Sequence, residues 1–261
     1  MEKVTIVMPA YNEEKRIGRT LEAYALYFDN VSRARGFSYE ILVVINGTTD
    51  NTEGVVNEVQ KKHGCIRVVN FERNGKGFAV IEGTKLALEG DANLIGFVDA
   101  DMATGPEQFD RLIRGIKGRD GAIASRYVKE STVMPAFTFR RAVVARVFNL
   151  IVRSLFLFPY SDTQCGAKLF SRRASEKIVE HVKMSRWAFD VEQLYCLGKF
   201  GYKVREVPTV WTDMEGGTLV IGKASLQMLL AVIQLRIRNS PFGRLLGPVN
   251  PVTSLIWSKL K

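Results

Sequence analysis

The stretch LIGFVDADMATGPE, residues 94–107, joins an uninterrupted apolar run to a pair of aspartates. Five apolar or small residues in a row, without polar alternation, predict a strand that is buried on both faces of a sheet. Beyond it, apolar residues recur at helical spacing, at Phe109, Leu112, Ile113 and Ile116. The two carboxylates, Asp99 and Asp101, are therefore expected at the carboxyl end of a buried strand, just before a helix.

The same alternation of strand and helix runs through the chain upstream of this stretch. Apolar runs at residues 4–8, 39–45 and 66–70 predict strands, and each is followed by a helical pattern. This order is typical of an α/β fold with a mainly parallel sheet and helices on both faces. In such sheets ligands bind outside the carboxyl ends of the strands. The segments PAYNE, NGTTD and DAD follow three of the predicted strands, and we expect them to share one crevice.

The DAD segment suits a nucleoside diphosphate. Its two carboxylates can face a divalent cation and a ribose, because hard cations prefer oxygen ligands shared with substrate phosphates. A second interpretation is equally open for an isolated DxD segment, since Asp at a strand end also caps helices and forms turns. The DAD segment by itself does not decide between them.

Composition and local sequence patterns limit the possible cellular location and the role of the cysteines. The chain has 261 residues, 46% of them hydrophobic, yet it has no run of about 18 apolar residues that would predict a membrane-spanning helix. The first residues lack the pattern of a signal peptide, which predicts a cytoplasmic location. Three cysteines without CxxC spacing, at positions 65, 165 and 196, argue against a disulfide framework or a zinc site.

The positive charge lies in two segments. Residues 131–161 carry four arginines and residues 216–261 carry six basic residues, and neither segment has an acid, so together they account for the net charge of +10. Both are also apolar, and sequence signals for nucleic-acid binding are missing, which favours a membrane surface as the partner. We predict amphipathic interface helices near residues 140–158 and 226–238. A buried helix with a polar edge is the alternative for the first.

Seven segments, taken in order, resemble one family of enzymes. They are VMPAYNEEKRI, NGTTDNT, NGKGFAVIEG, VDADMAT, ASRY, DTQCGAKLF and RWAFDVEQLYCLGKFGYKVREVPTVW, and they span residues 4–211. The sequence resembles the family-2 glycosyltransferases of the GT-A fold, and more narrowly their dolichyl-phosphate glucosyltransferase and polyprenyl-phosphate mannosyltransferase branch. PxYNE and DxD are widespread in glycosyltransferases, whereas DTQCGxKLF followed by RWAFDVE is specific to the lipid-phosphate branch.

The resemblance implies a site for the nucleotide sugar. Its residues would be Pro9, Tyr11, Glu13, Asn46, Lys76, Asp99, Ala100 and Asp101, with Asp101 as the ligand of Mg²⁺ or Mn²⁺. Many relatives have DDGS where this chain has Ile45 and Asn46, which leaves the choice between UDP and GDP open. Core packing, helix capping and a solvated surface lysine are the structural alternatives for Tyr11, Glu13 and Lys76.

The resemblance also implies an acceptor site. Arg126, with Arg140 or Arg141, would receive the phosphate of the lipid, and the sugar pocket would contain Gln164, Lys168, Trp187 and Asp190. A structural turn at Asp162, Gln164 and Lys168, a helix cap at Asp190 and a core position for Trp187 are the alternatives. Asp99, Asp101, Arg126 and Asp190 are the predicted catalytic residues.

The expected protein is an inverting hexosyltransferase at the cytoplasmic face of a membrane. It would move glucose, or next mannose, from a UDP- or GDP-sugar to dolichyl or polyprenyl phosphate. The predicted division is a GT-A catalytic domain at residues 1–215 and a basic membrane-associating segment at residues 216–261. A glycosyltransferase with a non-lipid glycan acceptor is the alternative. A dinucleotide oxidoreductase is disfavoured because no GxGxxG segment follows the first strand.

Overall fold

A computed structural model describes residues 2–136, 138–183, 188–214 and 223–240. For residues 139–141 and 223–226 it describes the backbone but not the side chains. The described strands are β1 (Lys3–Ala10), β2 (Ser38–Asn46), β3 (Ile66–Phe71), β4 (Leu94–Val98), β5 (Gly121–Ser125), β6 (Thr132–Met134), β7 (Ala167–Ser171), β8 (Val204–Pro208) and β9 (Val210–Thr212). The described helices are α1 (Ile17–Arg35), α2 (Thr52–Gln60), α3 (Lys76–Glu89), α4 (Pro106–Gly115), α5 (Phe139–Phe156), α6 (Arg172–His181), α7 (Phe189–Lys199) and α8 (Lys223–Arg238).

Seven strands form the central sheet, in the order β3-β2-β1-β4-β7-β5-β8. All neighbouring strands pair in parallel except for β7, which is antiparallel to both β4 and β5. The predicted α/β fold with a mainly parallel sheet is confirmed. The pattern did not predict the antiparallel strand, nor the small second sheet in which β6 and β9 pair in parallel.

The continuous apolar strands are buried on both faces, and alternate residues enter two hydrophobic clusters. On one face of the sheet Ile6, Val43 and Val98 pack with residues of α1, α2 and α4. On the other face Val7, Val44 and their neighbours pack with residues of α3, α6 and α7. Because each strand needs a helix on either side, the sequence alternation leads to this three-layer arrangement.

The antiparallel strand β7 positions the later motifs beside DAD. Its ladder with β4 pairs Phe97 with Lys168 and Val98 with Ala167. The backbone N–H of Asp99 then donates to the carbonyl of Gly166, at 3.1 Å. The start of β7 and the end of β4 therefore lie at the same edge of the sheet, although they are almost 70 residues apart in sequence.

Helices α5 and α8 pack together and form a third, smaller cluster. Val152 of α5 and Val232 and Leu235 of α8 are fully buried there, next to Val191 of α7. Both predicted amphipathic segments are thus helical and are half buried. Among the described residues, no helix is long and apolar enough to cross a membrane. Most of the predicted C-terminal segment, residues 216–222 and 241–261, lies outside the described residues.

Gly96 tests the contact between β4 and β7. A Cβ atom there would lie 2.5 Å from the carbonyl oxygen of Lys168 and 2.8 Å from the ring of Phe109. We expect Gly96→Ala to reduce the free energy of unfolding by about 1–3 kcal/mol, since overpacked cores lose that much. Urea denaturation measures the change. The control is Gly198→Ala in α7, where no heavy atom lies within 4 Å of the added Cβ. Equal stability of the two variants would show that β4 can move away from β7.

Candidate active site

The loops after β1 and β2 are joined by hydrogen bonds. The Asn12 backbone N–H donates to Thr48 Oγ1 at 3.1 Å, and the Thr49 N–H donates to Asn12 Oδ1 at 2.9 Å. Asn12 has a φ of 54°, a left-handed conformation that Asn tolerates better than most residues. A second pair of bonds links Glu14 with Asp50 and Asn51. PAYNE and NGTTD therefore form one wall of the site, as expected for segments that follow strands of a parallel sheet.

Glu13 lies in this wall and faces the DAD segment. Its carboxylate accepts two hydrogen bonds from Arg16, both at 2.7 Å, and its N–H donates to Thr52 Oγ1 at 2.8 Å. Burial raises the pKa of Glu13, Arg16 opposes that shift, and the charges of Asp101 and Asp99 add to it. The neighbouring Tyr11 is 45% exposed and Pro9 is buried. An exposed ring beside an acidic cluster suits the predicted packing against a base.

Two hydrogen bonds from α1 fix the backbone of the DAD loop. Thr20 of α1 donates its hydroxyl to the carbonyl of Ala100 at 2.8 Å, and Tyr24 donates to the carbonyl of Thr104 at 2.8 Å. The Ala100 side chain is buried in the core beneath the loop, so it faces away from the predicted nucleotide site. Met102 has a φ of 68°, which for a residue with a long side chain is a strained conformation. These hydrogen bonds fix the backbone of the loop.

Asp99 forms an ion pair with Lys76 at the start of α3, with 2.5 Å between Nζ and Oδ1. Burial would lower the pKa of Lys76, but the charges of Asp99 and Asp190 outweigh it and raise that pKa. Burial also raises the pKa of Asp99; Lys76 opposes this shift and the charge of Asp101 adds to it. Lys76 is thus an anchored cation at the sheet edge.

Asp101 differs from the other carboxylates of the site. Glu13, Asp99 and Asp190 each have a cationic partner, whereas Asp101 has none among the described residues. Its Oδ1 accepts the N–H of Ala103 at 2.9 Å, so the turn that was the alternative interpretation is present. Its other oxygen has no such bond in the described part of the chain, which is the state that a ligand of a hard cation requires.

The described residues contain no group of three or more His, Cys, Asp or Glu side chains that could hold a metal ion. A cation at Asp101 would therefore take its other ligands from phosphate oxygens and water, as Mg²⁺ does in many nucleotide sites. The residues fit a metal that arrives with its nucleotide, and the assignment of Asp101 stays a prediction.

Asn46 is buried rather than exposed to a ligand, being 1% accessible. In the amide orientation that satisfies both groups, its nitrogen donates to the carbonyl of Ala10 at 2.9 Å and its oxygen accepts the N–H of Gly75 at 3.1 Å. Asn46 thus joins the end of β1 to the loop before Lys76. Its predicted contact with a base is not visible in this arrangement, because both polar atoms are occupied by backbone.

Lys168 and Asp190 form a second ion pair near the first. Lys168 is fully buried, and its Nζ donates to the carbonyl of Cys165 at 2.9 Å and to Asp190 Oδ1. Lys168 was predicted to line the sugar pocket; its side chain is buried and its ammonium contacts Asp190, so that role stays a prediction. The alternative of a helix cap at Asp190 is wrong, because Ala188 is the N-cap of α7 and Asp190 lies in its first turn.

Arg126 is bound to Asp162. Its Nε and Nη2 donate to the two carboxylate oxygens at 2.7 Å and 3.0 Å, and its backbone N–H donates to Oδ2 at 3.0 Å. Burial opposes the ionised form of Asp162, but Arg126 outweighs it and lowers the pKa of that carboxyl. Arg126 was predicted to hold a lipid phosphate, yet its charge is already neutralised by Asp162. The side chains of Arg140 and Arg141, and Trp187 as a whole, lie outside the described residues.

Gly166 is a site residue that the sequence analysis missed. A Cβ atom there would lie 1.9 Å from Asp99 Oδ2, so a side chain at this position is incompatible with the observed place of that carboxylate. The signal was present in the segment DTQCG, where the glycine comes directly before a strand. What the pattern could not show is which residue would occupy the space, because β7 was not predicted to run antiparallel beside β4. Gln164, next to it, is partly exposed, and its N–H donates to Asp162 Oδ1 at 3.1 Å.

The sheet edge combines a fixed acidic loop, an anchored lysine and a carboxylate that has no cationic partner in the described part of the chain, an arrangement that suits phosphorylated ligands. Comparison with known proteins specifies the class of protein. Residues 5–179 match the model of Glycosyl transferase family 2. The chain belongs to this family.

Relatives support the same assignment over most of the chain. The dolichyl-phosphate beta-glucosyltransferase of Drosophila melanogaster is 35% identical over 237 residues, which cover 87% of this chain and 72% of the relative. The enzyme of the same name from Homo sapiens is 32% identical over 248 residues, which cover 91% of this chain and 76% of the relative. In fold, the chain is similar to glucosyl-3-phosphoglycerate synthase from Mycobacterium tuberculosis in complex with Mn²⁺, UDP and glucosyl-3-phosphoglycerate. That likeness has a TM-score of 0.67 at 18% identity and covers 90% of this chain and 80% of the other.

Gly166→Ala tests the close packing behind Asp99. The added methyl group would push the carboxylate away from Lys76, so we expect glycosyl transfer to fall by about 100-fold, a loss typical of a 1 Å misplacement. The measurement is release of the nucleoside diphosphate during turnover, with the thermal midpoint as a check on folding. Gly64→Ala is the matched control, because no heavy atom lies within 4 Å of its added Cβ. Activity within twofold of the parent protein would mean that Asp99 tolerates displacement.

Proposed function

We propose that this protein transfers glucose from a nucleotide sugar, UDP-glucose, to dolichyl phosphate or another polyprenyl phosphate, with inversion at the sugar. The observation that carries this proposal is the similarity to dolichyl-phosphate beta-glucosyltransferases from several organisms over about nine-tenths of the chain. The DTQCGAKLF segment, which resembles the lipid-phosphate branch, lies beside DAD, because β7 pairs with β4 there. The choice of UDP over GDP agrees with the Mn²⁺ and UDP-glucose complexes of the structural neighbour.

On the donor side, Tyr11 stacks on the base. Lys76 contacts the diphosphate, because its side chain is 40% exposed although it pairs with Asp99, whereas that of Arg126 is 16% exposed. Lys76 makes this contact from a fixed position, because α3 begins at that residue and Gly77 packs against Phe189 with no room for a side chain. Asp101 would hold the divalent cation, which when bound would supply charge stabilisation to the leaving nucleoside diphosphate. The wall formed by PAYNE and NGTTD excludes water from one side of the nucleotide.

On the acceptor side, an oxygen of the lipid monophosphate attacks the anomeric carbon. The new O–C bond forms as the bond from carbon to the nucleoside diphosphate breaks, and the nucleoside diphosphate leaves with the electron pair. A monophosphate ester loses its second proton near pH ~6, so the nucleophile is anionic at neutral pH and no base has to remove a proton. Because Arg126 is neutralised by Asp162, we assign the lipid phosphate to Arg140 and Arg141 in the first turn of α5.

A lipid acceptor requires contact with a membrane, and α5 and α8 supply the surface. On the side away from their shared cluster, large apolar side chains are exposed to solvent. They are Val143, Val144, Val147 and Leu150 on α5, Leu157 at its C-cap, and Ile233 and Ile237 on α8. Exposed arginines at positions 146, 153 and 236 accompany them. Apolar side chains flanked by arginines bind the interface of anionic membranes. We assign this surface to the cytoplasmic face of a membrane, with residues 1–215 as the catalytic domain and 216–261 as the membrane-associating segment.

Transfer of radiolabelled glucose to dolichyl phosphate in detergent tests the reaction. We expect transfer from UDP-glucose in the presence of Mg²⁺ or Mn²⁺, loss of it with EDTA, and a decrease of about 100-fold or more for Asp101→Asn, because that change removes a charge that supports the leaving group. Asp91→Asn is the control, since Asp91 is a surface aspartate paired with Lys3. GDP-mannose and UDP-glucose are compared as donors. Transfer to soluble sugars but not to lipid would leave the family assignment intact and would favour a glycan acceptor.

Vesicle binding tests the membrane surface. We expect the double variant Val147→Gln/Leu150→Gln to bind phospholipid vesicles at least about 100-fold more weakly, since each buried aliphatic side chain contributes roughly 1.5–3 kcal/mol and about 1.4 kcal/mol is a factor of ten. Leu26→Gln is the matched control, because Leu26 on α1 is 58% exposed and Leu150 is 62% exposed. Co-sedimentation with vesicles that contain polyprenyl phosphate measures both. Equal losses for the two variants would argue against a specific surface on α5.

A further inference from the structure

Asp190 poses an electrostatic problem if the acceptor is a phosphate. Its charge influences the pKa values of both Lys76 and Asp99, so it lies at the same edge of the sheet as the donor site. A free carboxylate there would repel a dianionic nucleophile, and the low polarity of the surroundings would strengthen the repulsion. It would also be well placed to act as a general base for a hydroxyl or water, a reaction that a lipid-phosphate enzyme has to avoid.

Lys168 forms an ion pair with Asp190 and so opposes this repulsion. It lies in the middle of the sheet, where β7 pairs it with Phe97 of β4 and Ile123 of β5, and its side chain is fully buried. Its Nζ is 5.2 Å from the centre of the Phe97 ring and bonds to Cys165 and Asp190. Asp190 is its salt-bridge partner among the described residues. A buried ammonium is stable when it is paired in this way, and the pairing fixes the carboxylate as well.

The geometry points to Lys168 as a residue that determines acceptor specificity by acting through Asp190, and this inference rests on the proposed function. The buried ammonium removes the net charge of Asp190 and occupies an oxygen that would otherwise take a proton. The acceptor site then admits a phosphate, which needs no base, and disfavours a hydroxyl or water, which needs one. Lys168 does not touch the substrate and is a positioning residue.

Replacement of Lys168 exposes the alternative reaction. In Lys168→Met the side chain keeps its approximate volume, and Asp190 loses its salt-bridge partner. Water can then attack the anomeric carbon: its oxygen bonds to that carbon, the bond to the nucleoside diphosphate breaks, and the proton goes to the Asp190 carboxylate. The products are free glucose and the nucleoside diphosphate. The same variant repels the lipid phosphate.

The test measures transfer to polyprenyl phosphate, hydrolysis of UDP-glucose without an acceptor, and binding of UDP. The parent protein first has to transfer glucose to the lipid. Failure at this step would contradict the proposed function and not the role of Lys168. Given that activity, we expect Lys168→Met to raise the KM for the lipid about tenfold or more and to increase hydrolysis severalfold, with UDP binding within twofold. Lys168→Arg should retain most lipid transfer.

Two further variants separate this role from a structural one. In Lys168→Met/Asp190→Asn the bare charge is gone, so the KM for the lipid should return toward that of the parent protein and hydrolysis should stay low. Equal impairment of the single and double variants would overturn the inference. Asp190→Asn alone keeps Lys168 in place and remains informative if Lys168→Met fails to fold. We expect the ratio of UDP-glucose hydrolysis to lipid transfer in this variant to stay at or below that of the parent protein, because the Asn side chain cannot accept a proton. Loss of lipid transfer with normal UDP binding would make Asp190 a required base and overturn the inference.

Discussion

The antiparallel insertion of β7 between β4 and β5 is the constraint on which the site depends. Its ladder with β4 brings Gly166 against Asp99 and places Lys168 beside Phe97, so one set of backbone hydrogen bonds positions both ion pairs. As a consequence, both ammonium groups lie near one ring: the Nζ atoms of Lys76 and Lys168 are 5.7 Å and 5.2 Å from the centre of the Phe97 ring. A parallel strand in this position would enter the sheet from the other edge and would bring neither residue to the end of β4.

The distribution of charge at this edge follows from burial. Carboxylates that are partly removed from water need a cation, and Arg16, Lys76 and Lys168 each supply one. Asp101 is without a cation in the described part of the chain, and it lies on the loop that Thr20 and Tyr24 hold in place. Three paired carboxylates thus shape the site, and the fourth retains the charge that a substrate-bound cation can use.

The sequence predicted the layers of the fold because continuous apolar strands and amphipathic helices have distinct periodicities. It also predicted that PAYNE, NGTTD and DAD share an edge, since parallel strands end on the same side. It did not predict the direction of β7, because a short apolar strand has the same hydrophobic pattern whether it pairs in parallel or antiparallel. The partners of Arg126 and Lys168 depend on that direction and were missed for the same reason. Asn46 was predicted to contact the nucleotide because it stands where many relatives have an Asp of DDGS, whereas here it joins Ala10 to Gly75.

Helix α5 shows why an acid-free amphipathic segment is difficult to interpret from sequence. The pattern offered two alternatives, an interface helix or a buried helix with a polar edge, and the structure contains a part of each. Val152 is fully buried against α7 and α8, while Leu150, two residues earlier, is 62% exposed. A helix can be buried on one side and expose apolar residues on another when it is apolar around most of its circumference. The core contact fixes the orientation of the helix, and that orientation decides which apolar residues remain exposed.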